Sequence, residues 1–343
     1  MKFDEKFFGT THEGESVEEF RITNENGVSF AAINYGATLT SVKAPDRNGR
    51  SDNLILGFDK LEQYLGSHPY IGATVGRCAS RIKDGTFTLD GVTHQLDCNE
   101  GSHHLHGGPC GFSHSVWRGA PFEEDSVAGV KFRLRSPHGD QGYPGTVDVS
   151  VTFSLSEANE LTLSYEAETD QPTPINLTNH AYWNLGGECS GKVYDHELCV
   201  NAPKVLTFDD DLIPTGEIQS VEGTPYDLRS QSRIGEHIRE SGGFDNCFVL
   251  SGTDKSDHPA AEVFHPVNGR RMQIFTDFPA LQLYTANYLQ NMQTRCGWVH
   301  PHEAYCLETQ DYPDAVNHAN FPDVVLRPGQ TYRRKTVHKF SVS

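Results

Sequence analysis

Five short polar stretches set groups capable of acid–base chemistry beside residues of core type. They are SRIKDG (80–85), GSHHLHGG (101–108), PINLTNHAYWNLGG (174–187), GGFDNCF (242–248) and CLETQDYPDA (306–315). Glu308 follows the mainly apolar run Ala304-Tyr305-Cys306-Leu307. A carboxylate there stands either at a solvated strand end or half-buried with a raised pKa. Arg81 is open to two readings, a surface cation or a buried donor to an anion or to hydroxyls. Asp245, after Gly242-Gly243-Phe244, is placed to cap a turn. The run Asn179-His180-Ala181-Tyr182-Trp183-Asn184 sets two aromatics between amides. A sugar site uses that mixture, flat ring faces for C–H surface and amide or imidazole groups for hydroxyls. A core aromatic beside an outward-facing one reads the same way.

GSHHLHGG raises the possibility of a metal. On a strand, residues i and i+2 share a face, so His104 and His106 form half of a zinc site that His180 or Glu308 would complete. The competing readings are backbone hydrogen bonding at a glycine turn and a sugar-contacting or acid–base role. The stretch alone does not choose among them.

The elements that must hold these groups read as strands. EEFRITNENGVSFAAINYG alternates on both sides of an Asn-Gly turn, and TFTL-Asp90-Gly91-VTHQL carries the two-residue linker of a type I′ hairpin. VDVSVTFSLSEANELTLSYEAETD and EVFHPVNGRRMQIFTD repeat the pattern. Helical periodicity is confined to FDKLEQYLG (58–66) and SRIGEHIRE (232–240). Regular βα alternation is absent. The expectation is an all-β chain, a large antiparallel sandwich or barrel forming a single domain over 1–343.

Composition narrows the partners. With 46 acidic against 28 basic side chains the formal charge is −18, which disfavours nucleic acid and anionic membrane. No segment has the length of a signal peptide's apolar core or of a membrane span, and the eight cysteines form no C-x-x-C. The reading is cytoplasmic, with reduced thiols. A Walker loop, a G-x-G-x-x-G turn and a G-x-S-x-G elbow are missing, and His302-Glu303 does not continue to H-E-x-x-H because residue 306 is Cys.

Taken together, the motifs resemble those of the aldose 1-epimerase (galactose mutarotase) family. The resemblance runs from about Asn34 to the C-terminus. It includes NYGATLTSVKAPDRNGRSDNLILGFD (34–59), GATVGRCASRI (72–82), HLHGG (104–108), DQGYPG (140–145), TNHAYWNL (178–185), IPTGEI (213–218), LQLYTAN (281–287) and LETQDYPDAVN (307–317). It implies a β-sandwich of the galactose-mutarotase type, a free monosaccharide as substrate, no metal and no organic cofactor. It implies Glu308 as general base and His180 as general acid, with Ser80, Arg81, His106, Tyr182, Asp245 and Gln282 around the sugar. Two positions depart from the family pattern: Ser80 stands where Asn is frequent, and Asn246 where His is frequent. His103 and His104 then revert to local hydrogen bonding.

Exchange of α and β anomers requires one group to take the proton of the C1 hydroxyl while another protonates the ring oxygen. The C1–C2 bond turns and the two groups reverse roles. On reference values Glu308 is ionised at neutral pH and His180 partly protonated, helped by nearby carboxylates. Three other functions remain in view: a hexose-6-phosphate 1-epimerase, which needs a basic cluster; a non-catalytic sugar-binding module; and a zinc hydrolase built on His104 and His106. Neither the preferred aldose nor the oligomeric state, monomer or homodimer, is legible.

Overall fold

The computed structural model describes residues 1–251, 258–290 and 292–343. Strand accounts for 48 % of it and helix for 7 %, so the all-β expectation holds. Among the described residues the two α-helices, Leu61–Leu65 and Ile234–Ser241, fall where the two periodic stretches placed them. Among the described residues no helix is long and apolar enough to cross a membrane.

Three antiparallel sheets carry most of the chain. The largest has nine strands and centres on Val127–Ser136, Val147–Ser156, Glu160–Thr169, Tyr332–Val342 and Arg270–Thr276. A five-stranded sheet holds the first 53 residues, ending at Ser51–Asn53. The second five-stranded sheet runs Pro214–Ser220, Lys204–Phe208, Asp245–Val249, Ala280–Tyr284 and Cys306–Gln310. Each anticipated hairpin forms. In the Asp-Gly example both turn residues have positive φ, Asp90 at 50° and Gly91 at 82°, as a type I′ turn requires.

One buried apolar cluster joins residues from Phe20 to Phe340 and lies between the sheets. The second five-stranded sheet turns Phe248, Leu281, Leu283 and Leu307 into that cluster. Because side chains alternate across a strand, the intervening residues must leave the opposite face. There, Asp245 is in register with Tyr284 and Cys306, and Gln282 with Cys247 and Glu308. The apolar packing of one face thus delivers a row of polar groups on the other.

The eight-thiol expectation is corrected at one pair. Cys189 and Cys296 form a disulfide, and the other six cysteines are free. The two partners lie 107 residues apart, on a loop and a hairpin that only the folded chain brings together.

Candidate active site

A cavity of about 400 Å³ opens above the polar row of that sheet, within the size range of small-ligand sites. Its lining includes all eight residues the sequence singled out: Ser80, Arg81, His106, His180, Tyr182, Asp245, Gln282 and Glu308. Three elements of the fold, each joining segments far apart in the chain, build it. The sheet supplies Asp245, Gln282 and Glu308. A two-stranded ribbon pairs Arg81–Ile82 with His104–Leu105 and so unites SRIKDG with GSHHLHGG. The short pair Thr178–Asn179 with Thr74–Val75 sets His180 over the sheet.

The ribbon explains the histidine cluster. His104 donates from Nδ1 to the Asp97 carbonyl at 2.7 Å, and its Nε2 accepts the Tyr143 hydroxyl at 2.8 Å. His103 Nδ1 accepts the Asp84 N–H at 3.0 Å. Only His106 reaches the cavity. Its φ of 51° ends the strand, so His104 and His106 do not share a face and the zinc pairing they suggested is not assembled. His106 Nδ1 accepts the Ser80 N–H at 3.1 Å, which leaves Nε2 as the donor of the neutral ring. Gly107 then turns at φ 88°, where a Cβ would strike the Gly76 carbonyl.

The remaining groups interlock. Gln282 Nε2 donates to Asp245 Oδ1 at 2.7 Å. His180 Nε2 stands 3.7 Å from Glu308 Oε1, and its ring stacks on Tyr182 at 5.0 Å. Tyr182 spends its hydroxyl on the Pro69 carbonyl, so its contribution to the cavity is the ring. The departure at residue 246 is absorbed locally, because Asn246 accepts the Asp245 N–H through its own side chain at 3.2 Å. Ser80 is buried in the wall. The donor atoms of His106, His180 and Glu308 lie within 4.8 Å of one another, close enough to bracket a small cation.

Sequence reasoning missed two contributors. Glu100 grips Arg81 through two hydrogen bonds, of 2.5 Å to Nε and 2.8 Å to Nη2, and lines the cavity itself. Tyr70 packs its ring on His106 at 4.6 Å and on His180 at 6.1 Å. Neither lies in a periodic or motif context that would have marked it. Tyr284 and Tyr288 complete an aromatic rim.

The chain matches the aldose 1-epimerase family model over residues 18–339, starting earlier than the motifs that begin at Asn34. The chain belongs to the aldose 1-epimerase family. Galactose mutarotase from Bos taurus is 43 % identical over 332 residues, covering 96 % of this chain and 95 % of the relative. Aldose 1-epimerase from Escherichia coli K12 is 33 % identical, with 96 % of each covered. Among solved structures, an aldose epimerase homologue from C. elegans superposes with a TM-score of 0.86 at 33 % identity, covering 94 % of this chain and 98 % of its own. Galactose 1-epimerase from Lactobacillus acidophilus gives 0.87 at 29 % identity, covering 100 % and 99 %. Membership makes the protein a carbohydrate epimerase, an isomerase.

In this aldose 1-epimerase, burial overturns the reference charge states expected of the pair. Desolvation, reinforced by the Asp245 carboxylate, pushes the Glu308 pKa well above the carboxylate range. Desolvation also lowers that of His180 to about 4, with His68 adding repulsion. The carboxylates near His180 do not compensate for the missing solvent. His106 is likewise held neutral by burial, aided by His180 and Arg81. Asp245 is raised by burial and partly restored by Arg81.

Proposed function

We propose that this aldose 1-epimerase interconverts the α and β anomers of free hexoses, with galactose as the first substrate and glucose close behind. The observation that carries the reading is the 3.7 Å approach of His180 Nε2 to Glu308 Oε1 inside a cavity of about 400 Å³. Galactose is put first because the mammalian relatives bear the name galactose mutarotase.

Glu308 and His180 hold one proton between them near neutral pH. Desolvation of both groups favours the proton on Glu308 over His180, since that arrangement leaves neither buried group charged. Glu308 Oε2 and Gln282 Oε1 are buried and have no hydrogen-bond partner among the described residues. Sugar hydroxyls would satisfy these oxygens, and that stabilises the ionised carboxylate while the proton passes to His180. Glu308 then removes the O1 proton, and the O1–H electron pair becomes the second C1–O1 bond. The C1–O5 bond breaks, its electron pair stays on O5, and O5 takes the proton from His180 Nε2. Rotation about C1–C2 and reversal of both transfers close the other anomer. Arg81, Asp245, Gln282 and His106 bind the hydroxyls remote from C1, which leaves C1 free to turn.

Arg81 is the only Lys or Arg among the described lining residues, against Glu100, Asp245 and Glu308. A phosphorylated hexose would meet net negative charge there, which disfavours the 6-phosphate reading. A cytoplasmic setting belongs to the proposal; six free cysteines support it and the Cys189–Cys296 bridge counts against it. The test is polarimetry of fresh α-galactose and α-glucose with wild type and Glu308→Gln. The variant should lose about 10²–10⁴ in rate while still binding sugar. Turnover near the wild-type value would refute the assignment.

A further inference from the structure

His180 is held on two sides by a single strand. Cys306 and Glu308 are two residues apart on Cys306–Gln310, so both side chains leave the same face of the sheet. Cys306 Sγ lies 3.5 Å from His180 Nδ1, while Glu308 Oε1 faces Nε2. The Tyr182 ring covers one face of the imidazole. Cys306 is 0 % exposed. No step of the proton transfer uses this thiol, yet it is the side chain that meets the ring nitrogen on the far side from Glu308.

The proton count says what that neighbour must do. Through the cycle His180 alternates between an imidazolium with both nitrogens protonated and a neutral ring that has just given up the Nε2 proton. Nδ1 keeps its proton in both states, so what faces it must accept a hydrogen bond; the Cys306 sulfur is the side chain placed to do so, beside a bond from the ring to the backbone of His180 itself. A carboxylate would accept strongly and also stabilise the imidazolium, making a lasting cation beside Glu308. A thiol sulfur accepts weakly. It can hold the tautomer while adding little to the stability of the charge.

We propose that Cys306 is a positioning residue for His180: its sulfur accepts the Nδ1–H bond and thereby keeps Nε2 free to give and to take a proton. The proposal rests on the acid–base reading of His180 above. The titratable groups facing the ring from the other packed elements are Glu308, His106, Tyr70, Tyr182 and Tyr284, with His68 acting at longer range.

The test uses the full chain with Cys306→Ala, Cys306→Ser and Cys306→Asp. Mutarotation of galactose is followed across pH for kcat and KM. Nitrogen-15 NMR reads the His180 tautomer, with His180→Asn assigning the signals. Wild type should show a protonated Nδ1 at neutral pH. Cys306→Ala should lower kcat about tenfold with KM nearly unchanged, and should populate the Nε2–H tautomer. Cys306→Ser should recover most of kcat, because a hydroxyl also accepts. Cys306→Asp should move the acidic limb of the kcat profile to higher pH. Wild-type kcat, pH profile and tautomer in Cys306→Ala would reduce Cys306 to a packing residue and overturn the proposal, even if its melting temperature fell. Should the alanine variant not fold, an unmoved acidic limb in Cys306→Asp overturns it. A wild type silent on every aldose, whose His180 tautomer still responds to residue 306, would remove the mutarotase reading and leave the Cys306 contact standing.

Discussion

Replacing His180 by Asn probes the rate and the acid stability of the protein through the same side chain. Burial holds the His180 pKa at about 4, against an ordinary value of 6.5. The unfolded chain therefore binds a proton at this residue near pH 6.5, and the native chain only near 4. Between those values the unfolded state carries more protons, so the stability owed to a neutral His180 is complete above about pH 6.5 and is lost as pH falls towards 4. The displacement is worth roughly 3 kcal/mol in total, and about 2 kcal/mol of it is gone by pH 5. Asn does not titrate. His68, His196 and His338, buried and depressed in the same way, remain in both proteins and largely cancel. Urea unfolding at pH 7 and pH 5 should show wild type losing about 2 kcal/mol more than His180→Asn across that interval. Poorer packing around the smaller Asn side chain lowers stability equally at both pH values and leaves the difference intact. The same protein should lose about 10²–10⁴ in kcat with a far smaller change in KM. Equal losses between pH 7 and pH 5 would refute a neutral buried His180, and an unchanged kcat would refute its role as proton donor.

Glu308→Gln should melt higher than wild type at pH 7. The raised Glu308 pKa means the native state binds the extra proton, so wild type loses stability as pH rises above the ordinary carboxylate range, and an amide escapes that loss; calorimetry at pH 4 and pH 7 checks that the advantage appears only at the higher value. Glu100→Gln should raise KM about three- to tenfold with kcat retained, because it removes the bidentate partner that aims Arg81 at the cavity; steady-state polarimetry would expose an unchanged KM. Reducing the Cys189–Cys296 bridge should cost about 2–4 kcal/mol, since it closes a loop of over a hundred residues, and thiol counting beside urea unfolding with and without reductant measures it.

The strands were legible because their causes are local. Alternation and an Asn-Gly or Asp-Gly turn fix a hairpin within about twenty residues, so the pairs at Thr86–Leu89 with Val92–Gln95 and Val147–Ser156 with Glu160–Thr169 could be read directly. The residues that line the cavity were legible for another reason. Ser80, Arg81, His106, His180, Tyr182, Asp245, Gln282 and Glu308 stand in motifs that resemble a family pattern, and all eight line one cavity. Glu100 and Tyr70 were not legible, because they act only through contact with Arg81, His106 and His180 and belong to no local pattern.

By itself the sequence determined the strands, their turns, the residue types available for proton transfer and the family. Only the tertiary structure decided their electrical state and company. His103, His104 and His106 are nearly adjacent in the chain, yet one backbone angle at His106 sends them to different partners. Glu308 and His180 carry ordinary pKa values as free side chains. Desolvation in the cavity moves the one up and the other down. Hairpin register depends on neighbours a few residues away, whereas solvation depends on every segment that folds over the site.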